Sequence, residues 1–258
     1  MDLNSNSLLV IIPAYNEEGS VGEVVRSVRD VLPGTPVVVI DDGSLDGTPQ
    51  VARQAGAELL RLPHHLGLGG AVQTGYKFAF EHGYECVVRV DSDGQHNAAD
   101  IPVLLRKLHA DGYDMVTGSR FLKPNGYRVQ PVRRLGGLLF SLVLYPILGK
   151  RITDPTSGFA AVNRRALEVF SRSFPLEYPE IEALVVLQRK ALRFCEVPVQ
   201  MFPRRAGRST IGSLQAMYYM IRVLLGVLVN VIKYERRFHS GPRALPASRG
   251  RPDGTSGG

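Results

Sequence analysis

Two carboxylates that directly follow an apolar run are the residues of this chain best suited to chemistry. The run covers residues 86–90, and Asp91 and Asp93 come next, followed by Gly94 and Gln95. Carboxylates at a strand end lie where open α/β sheets bind ligands. Their hard oxygens suit Mg²⁺ or Mn²⁺, which can hold a diphosphate at the same time. A polar turn helped by Gly94 explains the same residues without a metal.

The first loop of the chain also follows an apolar, strand-like run, at residues 8–12. We expect Pro13 to end that strand, because proline lacks the amide hydrogen that a ladder needs. Tyr15 offers a ring on which a base could stack, or a ring for packing. Glu17 could accept a hydrogen bond from sugar or base, or help to start the next helix.

The second loop begins at Asp41 and Asp42, directly after the run at residues 37–40. A carboxylate here could accept from a nucleobase N–H or a ribose hydroxyl, while a tight turn around Gly43 is the structural alternative. A further Gly-rich loop opens a helix at residues 64–70 and indicates a close backbone approach near the site. Its two histidines are expected to face solvent.

Apolar runs alternate with helical patterns throughout the first half of the chain, which predicts a mainly parallel sheet with helices on both faces. Ser20 and Glu23 predict a capping box for the first helix, and Asp46 predicts a cap for the second. The strands are predicted at residues 8–12, 37–41, 58–62, 86–90 and 114–117, and the helices at about 20–32, 46–55, 68–81 and 100–110.

Composition sets the broad class of the protein. The 258 residues suffice for one large domain, and the formal net charge is +7. The surplus positive charge could meet nucleotide phosphates or anionic lipid. No recognised nucleic-acid-binding motif is present, so no nucleic-acid partner is expected. Two distant cysteines, and no basic region followed by an apolar core at the start of the chain, favour a reduced cytoplasmic setting.

The second half contains two very apolar stretches, residues 135–148 and 211–232, both flanked by basic residues. The second stretch can be read as an interfacial helix on a membrane, as a helix packed on the domain or in an oligomer, or as a membrane span. The arginine and asparagine within it make insertion costly. We expect a catalytic domain over residues 1–233 and a disordered basic tail over 234–258, which is rich in Gly, Pro, Ser and Arg.

The three loops in this order resemble family 2 glycosyltransferases, which have the GT-A fold. Residues 11–21, 39–48 and 89–96 carry the resemblance, which continues through residues 118–120, 154–159 and 204–209. Within the family the chain looks most like the polyprenyl-phosphate sugar transferases. The resemblance implies a Rossmann-like, mainly parallel sheet flanked by helices, with amphipathic, interfacial helices towards the C-terminus.

The resemblance also implies roles for particular residues. Asp91, Asp93 and Gln95 would bind Mg²⁺ or Mn²⁺, and through it the diphosphate. Catalysis would involve Asp93, Arg120 and Asp154, with Asp154 orienting the acceptor or assisting its deprotonation, unless it is only a turn residue before Pro155. The nucleotide-sugar would contact Pro13, Ala14, Tyr15, Glu17, Ile40, Asp42, Asp91, Ser92, Asp93, Arg120, Arg204 and Arg208.

The resemblance departs from the mannose synthases at one position. Their last motif closes with Lys, whereas this chain has Thr210 after Ser209. Arg205 or Arg208 would supply the missing charge, or the phosphate is held differently.

The predicted activity is metal-dependent, inverting transfer of a sugar from a UDP- or GDP-sugar to a polyprenyl phosphate. The protein would be peripheral on the inner face of the cytoplasmic membrane, with a small membrane protein or a second copy as a further partner. Two alternatives stay open: transfer to a soluble hydroxyl compound or growing glycan, and a non-catalytic membrane-docked binding subunit.

Overall fold

A seven-stranded sheet between two layers of helices forms the centre of the protein. The computed structural model describes residues 7–122, 141–142 and 144–202. The strands are β1 (Leu8–Ala14), β2 (Val37–Asp41), β3 (Glu58–Arg61), β4 (Cys86–Arg89), β5 (Met115–Ser119), β6 (Ala160–Asn163) and β7 (Phe194–Pro198). The helices are α1 (Val21–Val31), α2 (Thr48–Gln54), α3 (Gly67–Glu81), α4 (Ile101–Ala110, after a 3₁₀ turn at Ala98–Asp100), α5 (Arg164–Arg172) and α6 (Pro179–Arg189).

The strand order is β3-β2-β1-β4-β6-β5-β7. Strands β1 to β4 pair in parallel, β5 pairs in parallel with β7, and β6 runs antiparallel to both β4 and β5. Because β6 reverses direction between them, β4 and β5 point the same way. The carboxyl ends of six strands therefore share one edge of the sheet, as the predicted mainly parallel sheet requires.

Alternate residues along the buried strands face two separate cores. Leu9 and Ile11 of β1 pack with α3, α5 and α6 on one face. Val10 and Ile12 pack with α1, α2 and α4 on the other. All seven residues of β1 are buried, as expected for a parallel strand covered on both faces. These two cores fix the sheet edge on which the polar loops lie.

The prediction that Pro13 ends the first strand is wrong. Strand β1 continues to Ala14, and Pro13 pairs in register with Ile40. Along β1 the backbone groups alternate in direction: Val10 N donates to Pro36 O, just before β2, and Ile11 O accepts from Val90 N, just after β4. By that alternation Pro13 faces the β4 side, where pairing ends at Ile11. No ladder bond needs its missing N–H.

The capping box predicted at the start of α1 is also wrong. Ser20 occupies the N-cap position, but its side chain makes no capping hydrogen bond to the helix. Its hydroxyl donates instead to the Glu17 carboxylate at 2.6 Å. The cap predicted at Asp46 is displaced by one residue: Gly47 occupies the N-cap position of α2 without a side-chain cap, and the Asp46 carboxylate, just before it, accepts from Thr48 N at 3.0 Å.

Residues 141–142 and 144–148 are helical, within the first apolar stretch. Leu144 and Leu148 are buried in the core, whereas Leu142 and Tyr145 are 72% and 51% exposed. Across the described residues, no helix is both long and apolar enough to cross a membrane. The stretch at 211–232 and the tail at 234–258 lie outside the described residues, so the predictions for them and for the domain boundary stay predictions.

Candidate functional site

The loop after β4 carries the two carboxylates predicted to bind metal. Asp93 is 8% exposed and its Oδ1 accepts from Gln95 N at 3.1 Å, which closes a tight turn. Within the described part of the chain, no group of three or more His, Cys, Asp or Glu side chains is arranged to hold a metal ion. Mg²⁺ commonly binds through one or two carboxylates and completes its shell with water and substrate phosphates. Asp91 and Asp93 therefore fit a metal shared with a diphosphate better than a closed protein site.

A buried arginine holds the first of these carboxylates. Arg89, the only charged residue of β4, is 3% exposed and reaches Asp91 Oδ1 at 3.0 Å and Glu180 Oε1 at 2.8 Å. Burial raises the pKa of Asp91, but the positive charge of Arg89 chiefly, with a smaller contribution from Arg120, more than offsets it and leaves that pKa below its usual value. Asp91 is thus kept as a carboxylate by positive charges that surround it.

Two neighbours shape the same loop. Gly158 lies so close that a Cβ there would stand 2.5 Å from Asp91 Oδ2 and 2.6 Å from Arg89 Nη2, so only glycine leaves room for the pair. The His96 ring stacks on Phe159 with centroids 4.8 Å apart. Its Nδ1 accepts the Asp91 backbone N–H at 3.1 Å. Burial lowers the pKa of His96, which fits a neutral ring acting as acceptor.

The first two loops are tied together by side-chain hydrogen bonds. Asn16, with a positive φ of 53°, donates its backbone N–H to Ser44 Oγ at 2.9 Å, and its side chain accepts from Leu45 N at 2.9 Å. Glu17 N donates to Thr48 Oγ1 at 2.7 Å. The loops after β1 and β2 therefore form one unit at the carboxyl edge of the sheet.

The carboxylate of Asp42 is held by the Gly-rich loop that precedes α3. Asp42 is 2% exposed, and its carboxylate accepts from Leu66 N at 2.7 Å and Gly67 N at 2.9 Å. His65 Nδ1 lies 2.8 Å from its Oδ2. The ring of His65 also stacks on Tyr15, with centroids 4.0 Å apart. The His65 side chain is 52% exposed, as expected for a loop histidine, and these contacts also hold its ring in place.

Arg120 and Asp154 form a paired unit at the end of β5. Arg120 Nε donates to Asp154 Oδ2 at 2.7 Å, its Nη2 donates to Oδ1 at 2.5 Å, and its backbone N–H donates to Oδ2 at 3.1 Å. The Asp154 side chain is 1% exposed, while that of Arg120 is 19% exposed. Asp154 is thus engaged in holding Arg120, and the guanidinium is the part that solvent reaches.

The remaining predicted residues fall into two groups. The side chain of Ile40 is fully buried in the core, and Pro13, Ala14 and Ser92 are buried as well, so any nucleotide contact by Ile40 would come from its backbone. Arg204 and Arg208 lie outside the described residues. The described chain ends beside the Asp91–Gln95 loop, where Phe202 N donates to Gln95 O at 2.8 Å.

Sequence reasoning missed Arg89, Glu180 and His65. One signal for Arg89 was available, because it is a lone charge within an otherwise apolar strand and therefore needs a buried partner. Glu180 and His65 gave no comparable signal, since their partners are distant in the chain.

This arrangement of loops at one sheet edge agrees with the comparison to known families. The sequence model of glycosyl transferase family 2 matches residues 9–170, more than half of the chain. The protein belongs to glycosyl transferase family 2. It is a glycosyltransferase, as the order of its three loops predicted.

Relatives support the family assignment, and a solved structure supports the fold. The chain is 32% identical to the undecaprenyl-phosphate mannosyltransferase of Micrococcus luteus over 215 residues, which cover 80% of this chain and 87% of that one. It is 27% identical to the UDP-N-acetylglucosamine–dolichyl-phosphate N-acetylglucosaminyltransferase of Methanococcus voltae, covering 86% and 98%. The glucosyl-3-phosphoglycerate synthase of Mycobacterium tuberculosis, solved with Mn²⁺, UDP and phosphoglyceric acid, shares the fold. Its TM-score is 0.66 at 24% identity, covering 87% of this chain and 78% of that one. The predicted GT-A fold is confirmed.

Proposed function

We propose that this glycosyltransferase moves a sugar from a UDP- or GDP-sugar to a polyprenyl phosphate, with Mg²⁺ or Mn²⁺ as cofactor. The observation that carries the proposal is the arrangement of Asp91 and Asp93 on the same sheet edge as Arg120. Two carboxylates suit a metal on the donor diphosphate, and an ordered guanidinium suits a phosphate. The names of the two relatives described above support the lipid acceptor.

The donor would lie across the edge formed by the first three loops. Asp91, Asp93 and Gln95 would hold the metal, which, when bound, offsets charge on the departing nucleoside diphosphate. The backbone at Pro13, Ala14 and Ile40, together with Tyr15 and Glu17, would contact the nucleoside, with Ser92 beside it. Asp42 would act by holding the loop that carries His65.

The acceptor phosphate would attack the anomeric carbon directly. Its oxygen forms the new bond to that carbon as the bond to the donor diphosphate breaks, and the configuration inverts. A phosphate is already anionic at neutral pH, so the reaction needs no strong base. This agrees with Asp154, which accepts hydrogen bonds from Arg120 on both oxygens. We therefore assign Asp154 the orientation of Arg120, and Arg120 the contact with substrate phosphate. Arg204 and Arg208 would add further phosphate contacts.

A panel of UDP- and GDP-sugars tests the proposal. The protein is incubated with a short polyprenyl phosphate and Mg²⁺ or Mn²⁺, and glycosylated lipid is detected by mass spectrometry. Parallel reactions use the matching polyprenol without phosphate, and a soluble sugar alcohol. We expect product with the polyprenyl phosphate but with neither alcohol. We also expect that product to disappear when the metal is chelated. Product from the alcohols but not from the phosphate would overturn the lipid-phosphate assignment.

The membrane face belongs to the same proposal. Exposed Leu142 and Tyr145 lie on the helix that precedes Lys150 and Arg151. Apolar side chains beside basic ones are typical of a surface that rests on anionic lipid. We propose a peripheral position on the cytoplasmic face of the membrane, with a small membrane protein or a second copy of the chain as a further partner. Sedimentation with anionic vesicles, only partly reversed by high salt, is expected; complete absence from the vesicle pellet would contradict it.

A further inference from the structure

The half-buried Glu196 of β7 directs its carboxylate at the segment that carries Asp154. Its Oε2 accepts from Thr153 N at 2.7 Å and from Thr153 Oγ1 at 3.0 Å. Its Oε1 accepts from Asp154 N at 2.7 Å. Burial raises the pKa of Glu196, and these hydrogen bonds partly offset the increase. One side chain thus satisfies three donors of two consecutive residues.

The two residues held by Glu196 lead directly to Arg120. Asp154 accepts from the Arg120 guanidinium at 2.7 Å and 2.5 Å. Thr153 Oγ1 lies 2.7 Å from Ser119 Oγ, which precedes Arg120 at the end of β5. The Glu196 side chain therefore fixes the backbone from which Asp154 reaches Arg120, and it does so over 42 residues of sequence separation.

The pairing of β7 in the sheet does not depend on this side chain. Glu196 pairs with Thr117 through the parallel backbone ladder between β5 and β7. Among the described residues, its carboxylate accepts hydrogen bonds from the segment that holds Thr153 and Asp154. A structural role in the sheet would leave Arg120 unaffected, whereas a role through Asp154 would not.

We propose that Glu196 is a positioning residue that sets the direction of the Arg120 guanidinium towards substrate phosphate. The part concerning substrate rests on the proposed function. The part concerning Arg120 does not, and the two are measured separately. A guanidinium held by two parallel hydrogen bonds has one orientation, and loss of the support beneath Asp154 lets it sample several.

The first measurement is independent of activity. The Arg120 Nε–H resonance is identified in ¹⁵N-labelled protein by its disappearance in Arg120→Lys, and its exchange with solvent is followed. We expect Glu196→Gln to speed this exchange at least tenfold, because an amide accepts with one oxygen only and its NH₂ group opposes a backbone N–H. Unchanged exchange in a folded Glu196→Gln protein would overturn the proposal.

Asp114, at the amino ends of β5 and β7, provides a control carboxylate. Asp114 is 1% exposed, and its carboxylate accepts from Arg193 N at 2.7 Å and from Asn163 Nδ2 at 3.0 Å. It thus supports backbone beside β5 and β7, at their amino ends and away from Arg120. Asp114→Asn is expected to lower the melting temperature while leaving the Arg120 exchange rate unchanged. An equal change of exchange in both variants would mean general loosening and would overturn the proposal.

The second measurement uses transfer to a short polyprenyl phosphate. We expect Glu196→Gln to lower kcat/KM about tenfold, and to add little in a protein that already carries Asp154→Asn. If the falls in kcat/KM of the two single variants multiply in the double variant, Glu196 acts independently of Asp154 and the proposal is wrong. If Glu196→Gln does not fold, Thr153→Val replaces it: it removes one of the three donors, and its exchange result is read by the same criteria. A wild type without lipid product would defeat the proposed function alone, since the exchange measurement still decides the role of Glu196.

Discussion

Replacing Asp42 separates a structural role of this carboxylate from direct contact with the nucleotide. Asp42 is buried and accepts the backbone N–H groups of Leu66 and Gly67 at the start of α3. Asp42→Ala leaves both donors without this acceptor, at a cost of about 1 kcal/mol each for partly buried groups. We therefore expect the free energy of unfolding to fall by about 2 kcal/mol, which corresponds to a decrease in Tm of roughly 6 °C.

The same change should weaken nucleotide binding through the loop. Without the Asp42 carboxylate the loop at residues 64–67 loses its anchor, and the His65 ring loses its contact with Oδ2. We expect the dissociation constant for UDP or GDP, measured by calorimetry, to rise while kcat at saturating donor is largely kept. Contacts made equally in the ground state and the transition state affect KM more than kcat.

Two further variants sharpen this test. Asp42→Asn keeps one acceptor oxygen and should cost about half as much stability, about 1 kcal/mol. His65→Ala removes the ring stacked on Tyr15 but keeps the backbone hydrogen bonds, so it should change nucleotide affinity with little change in Tm. A fall in affinity of about a hundredfold in Asp42→Asn with an unchanged Tm would refute the reasoning, since the carboxylate would then contact the nucleotide itself.

Three other predictions follow from the described contacts. Asp93→Asn should nearly abolish turnover while the fold stays intact, because the metal–diphosphate contact loses several kcal/mol of transition-state stabilisation, and near-normal rates at saturating metal would contradict this. Arg89→Met should lower the free energy of unfolding by about 3 kcal/mol in urea titrations, since Glu180 and the strand-end carboxylate lose their buried partner, and an unchanged midpoint would argue against it. Burial raises the pKa of Cys86 to about 12, so between pH 7 and 9 it stays a thiol. Mass spectrometry after iodoacetamide treatment should show slow labelling of half-buried Cys195 and labelling of Cys86 only after unfolding, and labelling of both at equal rates in the native protein would contradict the burial argument.

Local sequence determined most of the secondary structure in the first half of the chain. Buried parallel strands read as continuous apolar runs, so β1, β2 and β4 were each placed correctly to within two residues at either end. The carboxylates that end β2 and β4 and the arginine after β5 could be found for the same reason, because polar residues after buried strands must lie at the sheet edge. The order of the three loops was sufficient to predict the family.

Tertiary structure decided the contacts between these loops. Sequence patterns give the period of a strand but not its neighbours, so they could not show that β6 runs antiparallel. They also could not show that Pro13 fits within β1, which follows from the end of the β1–β4 pairing at Ile11. Arg89 meets Glu180 across 91 residues, and Glu196 meets Thr153 across 43. No local pattern encodes such pairs, because a charged residue within an apolar strand indicates that it needs a buried partner but not which residue that partner is. The sequence therefore determined which residues reach the site, and long-range packing decided which of them hold the others in place.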